Sequence, residues 1–142
     1  MLGGTRKMKA LIVSPFAATT EREAELVREV FAGAEVLTAK DLTDARKRIA
    51  GNVFQVAVVF VSDNGILGGH DGVQIIREVF AANEKCLIFA ISDSRLPELG
   101  AECRRAGATE YVSMAWQKIP VNELLRHNLR IFERLIDANP AS

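Results

Sequence analysis

Three polar positions with possible roles in chemistry follow directly on short apolar runs. They are Asp63 after Val56–Ser62 (VAVVFVS), Ser92 after Cys86–Ile91 (CLIFAI), and Ser14 after Lys9–Val13 (KALIV). Short apolar runs rich in β-branched residues predict strands buried on both faces, as in the middle of a parallel sheet. In such sheets, binding and catalytic groups lie just beyond the carboxyl ends of the strands. We therefore expect any chemistry at one edge of the sheet. The residue at the carboxyl end of Val56–Ser62 limits which reactions are possible there.

The stretch from Asp63 to His70 (DNGILGGH) contains Gly65, Gly68 and Gly69. These glycines could cradle a phosphate, but the stretch matches neither the Walker nor the dinucleotide fingerprint. His70 could accept a phosphoryl group or bind a metal. A lone histidine without a second ligand nearby in sequence is more often a solvated loop residue. The simpler interpretation of the stretch is an enlarged, flexible loop, and both functional interpretations stay open.

The segments between the apolar runs carry signals for helix starts. These signals are Thr20-x-x-Glu23, Asp41-x-x-Asp44, Asp71-x-x-Gln74, Pro97 and Pro120. Strands are predicted over 9–13, 35–38, 56–62, 86–91 and 110–114. Strands and helices then alternate five times, which is typical of a parallel sheet with helices on both faces. We expect a single domain over residues 1–142, ordered from about residue 8 to about residue 137.

The composition argues against two classes of partner. The chain has 18 basic and 18 acidic residues and a formal net charge of zero, whereas nucleic acids and anionic membranes select a basic excess. No apolar run is long enough to cross a bilayer. Cys86 and Cys103 have no metal-ligand spacing and are expected to be buried, reduced thiols. These features predict a cytoplasmic protein with no nucleic-acid or membrane partner.

Four segments of the sequence carry a recognisable pattern. They are Ala106–Val112 (AGATEYV), Ile91-Ser92, His70-Asp71-Gly72 with the following VQIIREV, and Pro120-x-x-Glu123-Leu124-Leu125. Together they resemble the receiver domains of bacterial response regulators, over about residues 8–137. The resemblance implies an α/β, flavodoxin-like (βα)5 fold, a doubly wound parallel sheet with strand order 2-1-3-4-5. It also implies a role in two-component or phosphorelay signal transduction, not an enzyme.

The family phosphorylates one of its own aspartates, and the resemblance implies four groups for that reaction. A carboxylate nucleophile ends the third strand, and two acidic residues after the first strand hold Mg²⁺. A Ser or Thr on the fourth strand and a Lys after the fifth contact the phosphate. Here Ser14 and Pro15 stand at the acidic positions, and Met114 stands at the lysine position. Of these partners the chain retains Ser92 alone, so we expect no metal site.

The nucleophile position has two candidate residues. An ungapped count from Ala45 on the second helix puts Phe60 there, which we favour because it keeps the helix and the strand in one register. A longer connection after the second helix would put Asp63 there instead. Asp63 would then be a phosphoacceptor acting with Ser92, and only in that case do we expect Mg²⁺. Asp93, beside Ser92, could supply another carboxylate.

The last helix has a wider apolar face than one contact with the sheet requires. Positions 121, 125, 129, 132 and 136 suffice to cover the sheet, and Leu124, Ile131 and Leu135 form a second row beside them. The second row predicts a homodimer or partner surface, and the alternative is that it fills a gap against the neighbouring helix. Trp116, the only tryptophan, could anchor a partner or pack over the strand ends beside Met114.

These features predict a degenerate receiver that signals through protein contacts of its fourth helix, fifth strand and last helix. It would work without conventional Mg²⁺-dependent phosphorylation, because Phe60 and Met114 would fill the pocket and hold one conformation. Two other functions stay open. One is an atypical phospho-receiver that uses Asp63 with Ser92. The other is a flavodoxin-like domain that binds a small ligand, or acts as an enzyme, through the 63–70 loop.

Overall fold

A computed structural model describes residues 8–62 and 68–138, with only the backbone described for residues 68–70. Within these ranges, strands and α-helices alternate along the chain. The strands are β1 Lys9–Val13, β2 Glu35–Ala39, β3 Val56–Val61, β4 Leu87–Ser92 and β5 Glu110–Ser113. The helices are α1 Ala17–Val30, α2 Leu42–Ile49, α3 Gly68–Ala82, α4 Pro97–Ala106 and α5 Val121–Asp137, with a 3₁₀ turn over Met114–Trp116.

The five strands form one parallel sheet in the order β2-β1-β3-β4-β5. Each strand is followed by a helix, and the order in which successive strands are added to the sheet reverses between β1 and β3. The predicted flavodoxin-like fold class is therefore confirmed. The register pairs Val13 with Val59 and Val61 with Ser92, so the carboxyl ends of β1, β3 and β4 lie side by side.

The core has two layers because the central strands bury alternate side chains on opposite faces of the sheet. Val56 and Val58 pack towards α1 and α5, whereas Ala57, Val59 and Val61 pack towards α2, α3 and α4. None of these five β3 side chains is more than 1% exposed. The prediction that this run is buried on both faces is confirmed.

Two predicted helix starts are wrong. Helix α1 begins at Ala17, so Thr20 and Glu23 lie inside the helix and form no capping box; the Thr20 hydroxyl donates to the carbonyl of Phe16 at 3.0 Å. Helix α3 begins at Gly68, so residues 68–70 are helical and not part of a loop. Packing explains why α3 tolerates a glycine at position 72. A Cβ added at Gly72 would come within 3.0 Å of the Val61 side chain.

The other helix signals hold. Asp41 caps α2 by accepting from the backbone N–H of Asp44 at 2.9 Å. Pro97 opens α4, which ends at Gly107 with a φ of 126°. Both cysteines are buried, and burial raises the pKa of Cys86 to about 12 and that of Cys103 to about 11. The two thiols are therefore poor nucleophiles at neutral pH.

Candidate functional site: the carboxyl edge of the sheet

Buried serines mark the carboxyl ends of four strands. Ser14 follows β1, Ser62 follows β3, Ser92 ends β4 and Ser113 ends β5. Their exposed fractions are 2%, 1%, 0% and 8%. Buried hydroxyls are normally hydrogen-bonded, so their partners indicate how this edge is built.

The end of β1 offers no carboxylate. Ser14 accepts a hydrogen bond from the backbone N–H of Phe16 at 3.2 Å, and its own N–H donates to the carbonyl of Ala39 at 3.0 Å. The Ser14 hydroxyl thus closes a local turn that leads into α1. Pro15 adds no ligand at all. These two residues do not fit Mg²⁺, which prefers carboxylate oxygens.

The end of β3 carries an aromatic contact. Phe60 is half-buried, and its ring meets the ring of Phe16 edge-on, with centroids 5.5 Å apart and planes at 81°. Phe16 precedes α1, so this contact joins the end of β3 to the β1–α1 loop. Edge-to-face aromatic pairs of this kind contribute about 0.5–1.5 kcal/mol beyond the area they bury.

Asp63, the other candidate for the nucleophile position, cannot be compared with Phe60 in the structure. Asp63 and Gly65 lie outside the described residues, as do the side chains of Gly68, Gly69 and His70. The choice between Phe60 and Asp63 for the family's aspartate position therefore stays a prediction. So do the possible roles of the glycines and of His70.

Three serines connect the ends of β4 and β5, and we refer to Ser92, Ser94 and Ser113 as the serine latch. The Ser92 hydroxyl accepts from the N–H of Ser94 at 2.9 Å, and the Ser94 hydroxyl accepts from the N–H of Leu96 at 3.0 Å. The Ser113 hydroxyl donates to the carbonyl of Ser94. The latch fixes the β4–α4 loop to the end of β5.

Sequence reasoning singled out Ser92 but missed Ser94 and Ser113. The spacing Ser92-Asp93-Ser94 was a usable signal, because serines two residues apart can each close a turn onto the following backbone. The bond from Ser113 crosses between strands that pair side by side, Ser92 with Ser113. No local pattern in the sequence indicates that bond.

Beyond β5, the chain turns outwards. Met114 is half-buried and packs against the core layer beneath α1 and α5. Trp116 is 64% exposed, and the guanidinium carbon of Arg95 lies 5.3 Å from its ring centroid. Most of the Trp116 ring thus faces solvent next to the serine latch, where Arg95 makes a cation–π contact.

Buried apolar side chains hold helix α5 on the sheet, and an ion pair connects it to α1. Leu125, Leu129 and Phe132 are at most 2% exposed. Arg126 hydrogen-bonds Glu29 of α1, which holds the pKa of Glu29 below its usual range. In the predicted second row, Leu124 and Ile131 are half-buried and Leu135 is 48% exposed. Leu135 is therefore the main apolar side chain that this row presents to solvent.

One buried carboxylate was not anticipated. Glu23 of α1 is only 6% exposed, and its burial raises its pKa to about 7, against a smaller lowering effect of Arg22. The signal was present, because Glu23 lies one turn before Val27 on the buried face of the helix. The sequence pattern instead assigned Glu23 to a capping box, which does not form.

Neither a metal cluster nor a membrane helix is found among the described residues. No three or more His, Cys, Asp or Glu side chains come together there in a way that could hold a metal ion. Over the same part of the chain, no helix combines the length and the apolar character needed to cross a membrane.

Comparison with known proteins gives matches in structure but not in sequence. No protein-family model matches the sequence, and no curated protein is similar enough to count as a match. The BeF3-activated DrrB receiver domain superposes with a TM-score of 0.72 at 18% identity, over 91% of this chain and 99% of that one.

Two further solved structures give the same result. A two-component response regulator from Clostridium difficile gives a TM-score of 0.72 at 16% identity, over 90% of this chain and 97% of that one. The chemotaxis response regulator CheY4 of Vibrio cholerae gives 0.68 at 20% identity, over 89% and 99%. At these identities the likeness concerns three-dimensional structure, and it covers nearly all of each chain. The protein has the fold of a response-regulator receiver domain.

Proposed function

We propose that the protein is a degenerate receiver of the two-component or phosphorelay type, which acts through protein–protein contacts and is not an enzyme. The observation that carries this proposal is the contact of Phe60 with Phe16. It puts two aromatic rings at the adjoining ends of β1 and β3, where the family's reaction requires carboxylates and a metal ion.

The neighbouring groups support the same conclusion. Ser14 accepts from the backbone of Phe16, and Pro15 has no side-chain ligand, so the acidic pair has no replacement at the end of β1. Met114, at the position of the family's lysine, packs its side chain against the core. Neither a divalent cation nor a phosphoryl oxygen would find a charged partner in these residues.

The serine latch explains how one conformation would be maintained. A receiver that responds to phosphorylation needs two arrangements of similar free energy. Here the Ser92 hydroxyl already accepts from Ser94, and Ser113 ties the same loop to β5. Each such bond contributes about 0.5–1.5 kcal/mol, so the latch favours the arrangement in which all three are formed.

Incubation with acetyl phosphate and Mg²⁺, followed by intact-mass measurement, tests the absence of phosphorylation. We expect no increment in the mass of the wild-type chain. A phosphate-sized increment that disappears in Asp63→Asn would overturn the proposal in favour of an atypical phospho-receiver using Asp63 with Ser92. An increment retained in Asp63→Asn would also contradict it and would move the acceptor to another residue, with Asp93 the next to test.

The proposed output surface is formed by α4, β5 and α5, and its occupant is a cytoplasmic signalling protein or a second copy of this chain. Leu135, at 48% exposure on α5, and Trp116 in the turn after β5 are among its exposed apolar residues. The second row of α5, Leu124 and Ile131 with Leu135, would pack at the centre of a homodimer. No nucleic acid or membrane is expected as a partner, because the net charge is zero.

Size-exclusion chromatography with light scattering tests the homodimer. The double variant Leu124→Asp, Leu135→Asp should elute as a folded monomer, while the wild type elutes as a dimer. The control is Val53→Asp, which changes a residue that is 56% exposed away from this surface and should leave the dimer intact. A monomeric wild type would rule out the homodimer and leave a different protein as the partner.

A further inference from the structure

A cleft of about 740 Å³ opens beside the β1 end of the carboxyl edge. The exposed side of α1 forms one wall, and the end of β2 with one side of α2 forms the other. Pro15 and the small side chains of Ala24 and Ala39 also line the cleft. Its volume lies within the range of small-molecule sites, about 300–1,000 Å³.

Charged side chains of both signs line this cleft. Three are acidic and three are basic: Glu21, Glu25 and Asp44, with Arg28, Lys40 and Arg48. The α1 wall contributes both glutamates with Arg28, and the opposite wall contributes Lys40 and Arg48 with Asp44, so the two walls have net charges of opposite sign. A ligand lying between the walls would therefore meet a net negative charge on the α1 side and a net positive charge on the other.

These charges do not neutralise one another by direct pairing. Among the described residues, the ion pairs are those of Arg46 with Glu78, Arg104 with Glu110, and Glu29 with two arginines of α5. None of them involves a charged residue of the cleft. Arg48 donates from Nε to the carbonyl of Thr38 at 3.0 Å, and its remaining guanidinium N–H groups stay available.

We infer that this cleft binds a small zwitterion, a molecule that carries an ammonium group and a carboxylate or phosphate group. The ammonium would lie against Glu21 and Glu25, and the anionic group would lie against Lys40 and Arg48. A simple anion would be attracted by the wall of net positive charge but repelled by the three carboxylates of the cleft, and a simple cation would be attracted by the α1 wall but repelled by the three cations. The inference does not depend on the proposed signalling function.

Three small probes separate the two charges of such a ligand. Phosphoethanolamine carries both, inorganic phosphate carries the anion alone, and ethanolamine carries the cation alone. β-Alanine replaces the phosphate by a carboxylate and so distinguishes the two possible anionic groups. Binding is measured from amide chemical shifts of the ¹⁵N-labelled full chain during titration to about 10 mM, which detects interactions of only a few kcal/mol.

We expect one of the two zwitterions to shift amides of α1, the end of β2 and the start of α2, with an affinity about tenfold higher than that of either half. Glu25→Gln and Lys40→Gln should each weaken this binding several-fold. The matched controls are Glu98→Gln and Lys85→Gln, which remove the same charges at exposed positions outside the cleft and should leave the affinity unchanged.

Three results would overturn the inference. One is the absence of cleft shifts with both zwitterions. Another is binding of phosphate or ethanolamine as tight as that of the zwitterion. The third is equal weakening by the control variants, which would indicate a general effect of charge. Unchanged amide shifts outside the cleft in each variant show that the fold is retained. None of these measurements uses a phosphodonor. Their outcome is therefore independent of the outcome of the phosphorylation test.

Discussion

At the β4–β5 half of the carboxyl edge, buried serine hydroxyls tie the loops to one another, whereas at the β2–β1 half exposed charges line an open cleft. The first half contains the serine latch, in which Ser94 and Ser113 are at most 8% exposed. In the second half, Glu21, Glu25 and Lys40 are exposed and make no ion pair among the described residues.

The difference shows how one edge of a sheet can hold a loop in place on one side and leave a charged cleft open on the other. A buried hydroxyl that loses its partner costs about 1–3 kcal/mol, so the latch resists rearrangement. Exposed charges are well solvated and lose little when a neighbour changes. Substitutions at the two halves should therefore differ in their effect on stability, and the following variants test this from the largest expected effect to the smallest.

The largest effect should come from Glu23, on the buried side of the helix that walls the cleft. Burial raises its pKa to about 7 in the folded chain, from 4.5. The folded state thus holds a proton that the unfolded state has released, and the free energy of unfolding should fall as pH rises from about 4.5 to about 7. The loss is on the order of 3 kcal/mol. Urea denaturation across this pH range measures it.

Two variants isolate that contribution. Glu23→Gln should remove most of this slope, because the amide does not titrate. Glu25→Gln, an exposed change on the same helix, should keep it. Equal slopes in wild type and Glu23→Gln would show that Glu23 is not the group responsible.

Next comes Gly100→Ala, beneath the β5 side of the latched half. In an open helix this change would stabilise the protein by up to about 1 kcal/mol. Here the added Cβ would lie 2.9 Å from the Tyr111 ring, so we expect a loss of about 1–3 kcal/mol instead. Urea denaturation measures the change in the free energy of unfolding. A stabilised variant would contradict the expected clash and would mean that α4 can move away from β5.

Ser113→Ala should cost about 1 kcal/mol, because it removes the hydrogen bond to the Ser94 carbonyl. Hydrogen exchange should become faster at the backbone amides of the β4–α4 loop, including that of Leu96. The matched change at the other half is Ser14→Ala, which should affect the Phe16 amide and leave the β4–α4 loop protected. Unaltered exchange in that loop after Ser113→Ala would show that the latch does not hold it.

The smallest effect should be that of Lys40→Gln in the cleft. Its exposed charge has no ion-pair partner among the described residues, so the unfolding free energy should change by less than about 0.5 kcal/mol. The same variant should weaken zwitterion binding, which separates a binding role from a structural one. A loss comparable to that of Ser113→Ala would remove the contrast between the two halves.

Most of the fold was predictable because its signals are local and repeated. The run at Val56–Val61 predicted a central strand, and Asp41, Pro97 and Gly107 marked helix ends, each through the chemistry of a single residue. The starts of α1 and α3 were missed for the opposite reason. Packing allowed Phe16 to precede α1 without a side-chain cap and allowed Gly72 to approach Val61, and neither contact can be inferred from neighbouring residues.

The candidate site was predictable only in part. The resemblance to receiver domains implied that Ser14, Pro15 and Met114 stand where the family has charged groups, and that correspondence stays a prediction. The sequence did not indicate the contact of Phe16 with Phe60 or the bond from Ser113 to Ser94. The first contact joins residues 44 positions apart, and the second joins residues 19 positions apart. Sequence periodicity carries no information at such separations.

The exposed ring of Trp116 also makes the protein its own optical reporter. Because this is the chain's only tryptophan and its indole already faces water beside Arg95, unfolding should change its emission little. A partner that covers the ring should move the emission to shorter wavelength and protect it from iodide quenching. Tryptophan fluorescence is therefore a poor probe of stability in this protein and a sensitive probe of docking next to the serine latch.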